Sequence, residues 1–166
     1  MNLSRIIAAL RVAGGVLVAT LAGIWLGAPL VALLDAQMPF RLTNDLSWLG
    51  WLIIAGALAL IASAQLSFVR FGGGTGVPGD EPHSLVARGP YRWVRNPLYI
   101  SGNALLWGNV LAFGSAGLLT LALISAVAFH LFVVCCEEPQ LERRFGDAYR
   151  EYKRAAPRWM PRPPRI

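Results

Sequence analysis

Four stretches of the chain contain no Asp, Glu, Lys or Arg, and they strongly constrain the fold. They cover residues 12–34, 46–67, 98–113 and 116–136. A membrane-spanning helix needs about 20 apolar residues, within a range of about 17–25. Three stretches are long enough, and the uncharged pair Gly114-Ser115 joins the shorter third stretch to the fourth, as in a tight helical hairpin. We therefore predict an all-α, polytopic membrane protein with about four transmembrane helices.

The composition and the placement of charge agree with a membrane protein. The chain is 55% hydrophobic and 14% charged, whereas a soluble domain carries about 25% charged residues. Every Lys and Arg except Arg41 falls in residues 1–11, in the loop 69–97 or in the tail after residue 142. Basic residues concentrate on the cytoplasmic side. We expect an integral protein of a bacterial inner membrane, with both termini and this loop in the cytoplasm.

The same pattern divides the chain and suggests its partners. Residues 1–68 are expected to form two anchoring helices, the first a retained anchor rather than a cleaved signal. Residues 69–166 are expected to form a core made of the cytoplasmic loop, a helical hairpin and a basic tail. The net charge of +6 favours contact with anionic lipids rather than nucleic acid. The oligomeric state stays open.

The tail carries the pattern of a C-terminal amphipathic helix. At 100° per residue, five apolar side chains fall on one side and the basic side chains on the other. We expect this helix to end before Pro157 and either to lie on the inner leaflet or to cap the bundle. The apolar residues are Leu141, Phe145, Ala148, Tyr149 and Tyr152.

Two adjacent carboxylates, Glu137 and Glu138, stand where the last apolar stretch meets the Arg-rich tail. Such a pair repels itself and loses hydration, so an arginine, backbone N–H groups or a cationic ligand must compensate. One interpretation is a solvated helix end paired with Arg143 or Arg144. The other is a binding site for a cationic ligand. We expect no metal site, because the adjacent cysteines before this pair lack the spaced partners that zinc requires.

The loop before the third stretch is rich in arginine and tyrosine. It reads Gly89-Pro90-Tyr91-Arg92-x-x-Arg95-Asn96-Pro97-x-Tyr99-x-x-Gly102. Proline suits a first helical position, so we expect a helix that begins at Pro97 with Asn96 as its cap. Arginine and aromatic residues are typical of a membrane interface, which is the alternative explanation for their presence.

Two polar residues inside the apolar stretches are further candidates. His130 lies seven residues before Glu137, hence on the same helix face. An ionisable residue within a membrane is a functional candidate. Its alternative role is a hydrogen bond to a neighbouring helix, or to Asn103 or Asn109. Asn103 shares a face with Tyr99 and lines either an acceptor route or a helix contact.

Two segments of the sequence together resemble a known family. One is the loop segment, and the other reads Glu137-Glu138-x-x-Leu141-x-x-x-Phe145-Gly146-x-x-Tyr149-x-x-Tyr152, followed by Pro157-Arg158-Trp159-Met160-Pro161. The family is the membrane methyltransferase superfamily of isoprenylcysteine carboxyl methyltransferases and phospholipid methyltransferases. The resemblance covers about residues 70–161 and implies S-adenosylmethionine as cofactor, held on the cytoplasmic side. The cofactor-binding residues that it implies are Glu137, Glu138, Arg95, Tyr91, Tyr99, Gly102 and Pro97.

Roles follow from that resemblance. A glutamate of the pair would take the α-amino group or the ribose hydroxyls, and Arg95, ahead of Arg88 or Arg92, would take the carboxylate. Tyr91 and Tyr99 would contact the adenine or the sulfonium, and Gly102 would let the ligand approach the helix backbone.

Asn96 departs from the family, because many relatives have His there and Asn cannot titrate near neutral pH. The catalytic residues therefore stay unassigned, with Asn96, His130 and Asn103 as candidates. We expect methyl transfer to a lipid, prenylated or other hydrophobic acceptor through a carboxylate, amine or thiol. The alternative is a non-catalytic membrane protein that binds or assembles on the same scaffold.

Overall fold

A computed structural model describes residues 27–38, 44–74 and 82–164, and these segments contain helices and no strands. Helix α1 covers residues 27–37. The other helices are α2 (Ser47–Ser67), α3 (Pro97–Phe113), α4 (Ala116–Phe132), α5 (Glu138–Phe145) and α6 (Asp147–Ala155), and π-helical turns extend α2 through Phe68–Gly72 and join α4 to α5 through Val133–Glu137. The predicted all-α class is confirmed.

Among the described residues, two continuous helical segments are long and apolar enough to cross a membrane. They are Ser47–Gly72 and Ala116–Phe145, with mean hydropathies of 2.2 and 2.5. Helix α3, with 17 residues, is shorter. Most of the first predicted span lies outside the described residues, so the count of about four spans stays a prediction. The division of the chain after residue 68 is also untested.

Helices α2 and α3 pack backbone against backbone. A Cβ atom built on Gly50 would lie 2.6 Å from the carbonyl oxygen of Gly108 and 2.5 Å from the nitrogen of Ala112. A Cβ atom on Gly108 would lie 2.7 Å from the side chain of Ile54. Only glycine leaves room for this approach, so the two residues fix how closely α2 and α3 pack.

The hairpin predicted at Gly114-Ser115 is confirmed. Gly114 ends α3 in the left-handed conformation, with φ of 65°. The Ser115 hydroxyl then caps α4 by accepting from the Leu118 N–H at 3.0 Å. The carboxylate of Asp35 accepts from the Ser115 hydroxyl at 2.8 Å and from the Gly117 N–H at 2.8 Å. The end of α1 is thereby tied to the start of α4.

The tail is amphipathic but does not form one continuous helix. Gly146, with φ of 55°, separates α5 from α6. Glycine adopts this backbone conformation without the strain that an L side chain would cause. The predicted apolar face packs inward. Tyr149 and Tyr152 join a buried cluster with Ala64 and Tyr91, so the tail caps the bundle, as one of the two predicted arrangements has it.

Residues 157–162, which we call the strap, follow α6 and lie along the loop before α3. The Arg95 N–H donates to the Pro157 carbonyl at 2.8 Å, and the Arg162 N–H donates to the Trp93 carbonyl at 3.0 Å. The Asn96 amide donates to the Arg158 carbonyl at 3.2 Å. Helix α3 begins at Pro97 with Asn96 as its N-cap residue, as predicted, but the Asn96 side chain bonds the strap and makes no capping hydrogen bond to the helix.

Candidate functional site

A cavity of about 600 Å³ lies where the loop before α3 meets the ends of α2 and α4 and the start of α5. We call it the polar cavity. Apolar rings and aliphatic side chains form one part of its wall, and charged or hydroxyl groups form another. Its lining includes Phe68, Tyr91, Arg95, Asn96, Pro97, Tyr99, Phe129, Phe132, Glu137, Leu141 and Arg144.

Glu137 faces the polar cavity from the π-helical turn that joins α4 to α5. The hydroxyl of Tyr99 lies beside its carboxylate and interacts with it. One carboxylate oxygen, Oε2, is buried and has no hydrogen-bond partner among the described residues. A buried carboxylate oxygen that lacks a partner is costly, so this oxygen is available to a ligand that donates hydrogen bonds.

Glu138 is buried and points to a different group of residues, since adjacent side chains on a helix diverge by about 100°. Arg158 donates to it with both prongs, from Nε to Oε1 at 2.7 Å and from Nη2 to Oε2 at 2.9 Å. Arg95 Nη1 lies 2.9 Å from Oε1, and Lys153 Nζ lies 4.0 Å from Oε2. The pairing with Arg143 or Arg144, considered from the sequence, is wrong for Glu138.

Arg95 is the one arginine of the loop segment that lines the described cavity. Its side chain is 9% exposed. Nη1 lies close to Glu138, but the contact does not have the geometry of a hydrogen bond. Neither Nη1 nor Nε has a hydrogen-bond partner in the described part of the chain. Arg88 and Arg92 are exposed, and Arg88 stacks on the Phe71 ring at 5.1 Å. The structure thus favours Arg95 over the other two for an anionic ligand.

Tyr91 adds a hydroxyl group to the same wall. This hydroxyl is buried and has no hydrogen-bond partner within the described ranges. Burial raises the pKa of Tyr91 well above its ordinary value, so the side chain is neutral and can donate or accept. Its ring packs on Phe68 with centroids 5.0 Å apart. The Tyr152 hydroxyl donates to the Tyr91 carbonyl at 2.8 Å, which fixes the loop on α6.

A second cavity, of about 510 Å³, lies beside α3 and is mainly apolar. We call it the apolar cavity. Tyr99 and Phe129 line both cavities, and their rings pack with centroids 5.3 Å apart. The two cavities are therefore adjacent and share this pair as a boundary. The apolar cavity is lined by Ile53, Tyr99, Ile100, Asn103, Ala104, Trp107, Ala126, Phe129, His130 and Trp159.

The three catalytic candidates do not come together. Asn96 lines the polar cavity, whereas Asn103 and His130 line the apolar cavity. The Asn103 amide donates to the Ser125 hydroxyl of α4 at 3.0 Å, which is the helix contact considered from the sequence. The Nδ1 atom of His130 accepts from Trp159 Nε1 at 3.1 Å, so its partner is the strap rather than a neighbouring helix.

The remaining predicted site residues occupy different positions. Pro97 is buried and lines the polar cavity. Gly102 lies outside the linings of both described cavities, and a Cβ atom there would meet Phe129 at an ordinary 3.8 Å. Arg158 and Trp159 were missed as site residues, although both belong to the Pro157–Pro161 segment of the sequence motif. Trp159 lines the apolar cavity and bonds His130, and Arg158 bonds Glu138; their place in that motif was the one signal that could have found them.

The fold and the site define an all-helical protein with a polar cavity of unpaired hydrogen-bonding groups next to an apolar one. Residues 45–148 match the family model described as phospholipid methyltransferase. This match covers more than half of the chain, and the protein belongs to the phospholipid methyltransferase family.

Curated relatives agree over a shorter region. The chain is 34% identical over 71 residues to a phosphatidylethanolamine N-methyltransferase of Aspergillus terreus, 43% of this chain and 7% of the relative. The corresponding enzyme of Aspergillus niger is 33% identical over 69 residues, 42% of this chain and 6% of the relative. That of Uncinocarpus reesii is 34% identical over 71 residues, with shares of 43% and 7%. The chain thus spans a small fraction of these relatives. No solved structure matches it.

Proposed function

We propose that the protein transfers a methyl group from S-adenosylmethionine to the amine of a phospholipid headgroup at a membrane. The carrying observation is the adjacency of the two cavities at Tyr99 and Phe129. One cavity offers unpaired polar groups to a charged cofactor, and the other offers apolar walls to a lipid chain. Family membership and the names of the curated relatives support this choice among amine, carboxylate and thiol acceptors.

The residues of the polar cavity fit the chemical groups of the cofactor. The buried Oε2 of Glu137 suits an ammonium group or ribose hydroxyls, and the N–H groups of Arg95 that lack a hydrogen-bond partner among the described residues suit a carboxylate. The rings of Phe68 and Tyr91 suit an adenine. When bound, S-adenosylmethionine supplies a methyl group on a positively charged sulfur. A cavity of about 600 Å³ also falls within the usual size range of small-molecule sites, about 300–1,000 Å³.

Glu138 has a different role in this proposal. Its two oxygens are already bonded to Arg158 and approached by Arg95. We infer that it organises the cations around the cavity, while Glu137 contacts the ligand. The contacts expected of Tyr91, Tyr99 and Pro97 remain part of the proposal, and Gly102 would act only through the packing of α3.

The apolar cavity would hold a hydrocarbon chain of the acceptor, with the headgroup at the Tyr99–Phe129 boundary. From Tyr99 to Trp107, α3 rises about 12 Å at 1.5 Å per residue, which gives the cavity an elongated shape. An amine is nucleophilic only after it has lost its proton. The protein would orient this amine and exclude water, and these effects account for much of the catalysis available to such a site.

The placement in the membrane is part of the same proposal. We propose an integral protein of a bacterial inner membrane, with both termini cytoplasmic and residues 1–68 serving partly as an anchor. Exposed cations on α5 and α6, among them Arg143 and Arg154, would contact anionic lipid headgroups. A reporter fused to the C-terminus and found outside the cell would contradict this orientation.

The deciding experiment uses purified protein with methyl-labelled S-adenosylmethionine and vesicles that contain phosphatidylethanolamine, phosphatidylcholine or phosphatidylglycerol. Label in N-methylated phosphatidylethanolamine alone supports the proposal. Base-labile label on a prenylcysteine added in parallel would identify a carboxyl methyltransferase instead. Saturable cofactor binding with no labelled product from any acceptor would favour the non-catalytic alternative. The E137Q variant should incorporate less label than the wild type when the cofactor is limiting.

A further inference from the structure

Two arginines share the buried carboxylate of Glu138, and they share it unequally. Arg158 forms two hydrogen bonds, at 2.7 and 2.9 Å, one to each oxygen. Arg95 reaches the same carboxylate only through the 2.9 Å approach of Nη1 to Oε1. A carboxylate matches a single guanidinium fork in this two-pronged arrangement, and Arg158 occupies it. The hydrogen bond to Glu138 also raises the pKa of Arg158, so the guanidinium stays charged.

The consequence for Arg95 is a set of buried N–H donors that Glu138 does not satisfy. Nε and Nη1 lack hydrogen-bond partners among the residues described, and the side chain lines the polar cavity. If Glu138 lacked Arg158, its two oxygens could accept the fork of Arg95, and these donors would turn away from the cavity. Unpaired buried donors are unfavourable unless a ligand completes them.

The strap keeps the two arginines side by side. The Arg95 N–H donates to the Pro157 carbonyl at 2.8 Å, directly before Arg158. The neighbouring Asn96 amide donates to the Arg158 carbonyl at 3.2 Å. Each arginine therefore has a backbone group that is hydrogen-bonded to a sequence neighbour of the other arginine. This geometry holds Arg158 in competition with Arg95 for the same acceptor.

We propose that Arg158 is a positioning residue for ligand binding: it occupies the fork of Glu138 and so keeps Arg95 available to the carboxylate of the bound cofactor. The proposal rests on the proposed function, which supplies the identity of that ligand. It predicts that Arg158 acts on one chemical group of the ligand, although its own guanidinium is directed to Glu138. A residue that only stabilised the tail would affect every ligand of the cavity alike.

The test compares two ligands in equilibrium binding to the full chain in detergent. S-adenosylhomocysteine carries the amino-acid carboxylate, whereas S-adenosyl-3-thiopropylamine keeps the amine but lacks the carboxylate. For R158Q we expect S-adenosylhomocysteine to bind about tenfold more weakly or worse, as for a lost charge-assisted pair. The amine analogue should bind within about twofold of its wild-type affinity. The matched control R154Q removes an exposed arginine of α6 and should change neither affinity.

Three further variants keep the test decisive. R95Q should reproduce the selective loss, and R95Q/R158Q should lose no more than R95Q alone, because both changes remove one interaction. R158K keeps the charge without the fork, and it should show a smaller loss of affinity with the same selectivity. This variant replaces R158Q in the test if R158Q does not fold. Equal weakening of both ligands by R158Q or R158K would overturn the positioning role. Absence of binding of either ligand to the wild type would instead overturn the proposed function, and this inference with it.

Discussion

The two adjacent glutamates should respond in opposite ways to the same conservative change. Glu137 faces the polar cavity with a buried oxygen that lacks a partner in the described structure, whereas Glu138 is bonded to Arg158. In E137Q the charge-assisted bond that we propose between Glu137 and the ligand would become a neutral one, a loss of about 1–2 kcal/mol. We therefore expect S-adenosylhomocysteine to bind about 5- to 30-fold more weakly, with little change in the melting temperature.

E138Q should instead destabilise the protein. Removal of one partner from a buried ion pair costs about 3–5 kcal/mol, and the partial exposure of Arg158, 32%, places this variant near the lower end. At about 2–4 °C per kcal/mol, a loss of about 3 kcal/mol lowers the melting temperature by about 6–12 °C. The free energy is lost because Arg158 and Arg95 then face a neutral amide.

Both variants are to be measured by thermal unfolding followed through tryptophan fluorescence and by calorimetric titration with S-adenosylhomocysteine, in the same detergent. E142Q, which changes a glutamate paired with Arg150 and Lys153 at the surface, is the matched control and should shift neither quantity much. The reasoning is refuted if E137Q melts as low as E138Q, or if E138Q weakens binding while its melting temperature stays unchanged.

Three further changes test the packing and the second cavity. G50A should destabilise the protein by about 1–3 kcal/mol, since the new methyl group would lie 2.6 Å from the Gly108 carbonyl; denaturation in a mild detergent measures it, and a wild-type melting curve would contradict the close packing. D35N should cost about 1–2 kcal/mol because it weakens the bonds to Ser115 and Gly117, and an unchanged melting temperature would argue against the tie. W159F replaces the indole by a smaller aromatic ring and removes the bond to His130. We expect a higher KM for the lipid and an unchanged affinity for S-adenosylhomocysteine, and an unchanged KM with a weakened affinity for S-adenosylhomocysteine would contradict a role of Trp159 in acceptor binding.

Patterns that depend on neighbours in sequence were readable in advance. The start of α3 at Pro97 follows from the fixed φ angle of proline, and the hairpin at Gly114-Ser115 follows from a short polar break between apolar stretches. The inward face of Tyr149 and Tyr152 follows from helical periodicity. The general location of the polar cavity was also indicated, because the loop segment and the glutamates both lie at ends of apolar helices.

Features that depend on distant partners were not readable. Arg143 and Arg144 were considered as partners of Glu138 because they are near in sequence, but the partner in the structure is Arg158, twenty residues away. Periodicity could not show that Gly146 would divide the tail, since glycine is tolerated inside a helix at a cost of about 1 kcal/mol. The π-helical turn before α5 sets the directions of the Glu137 and Glu138 side chains, and no residue pattern predicted this turn.

The backbone contact at Gly50 and Gly108 has a mechanical consequence for the two cavities. Helices α2 and α3 are in backbone contact there, so we expect a bulky ligand beside α3 to be accommodated by a shift of α4 rather than of α2. Helix α4 runs without a break into the turn that carries Glu137. If the apolar cavity holds the acceptor as proposed, its occupation and the shape of the polar cavity are coupled through α4, and each ligand should change the affinity for the other.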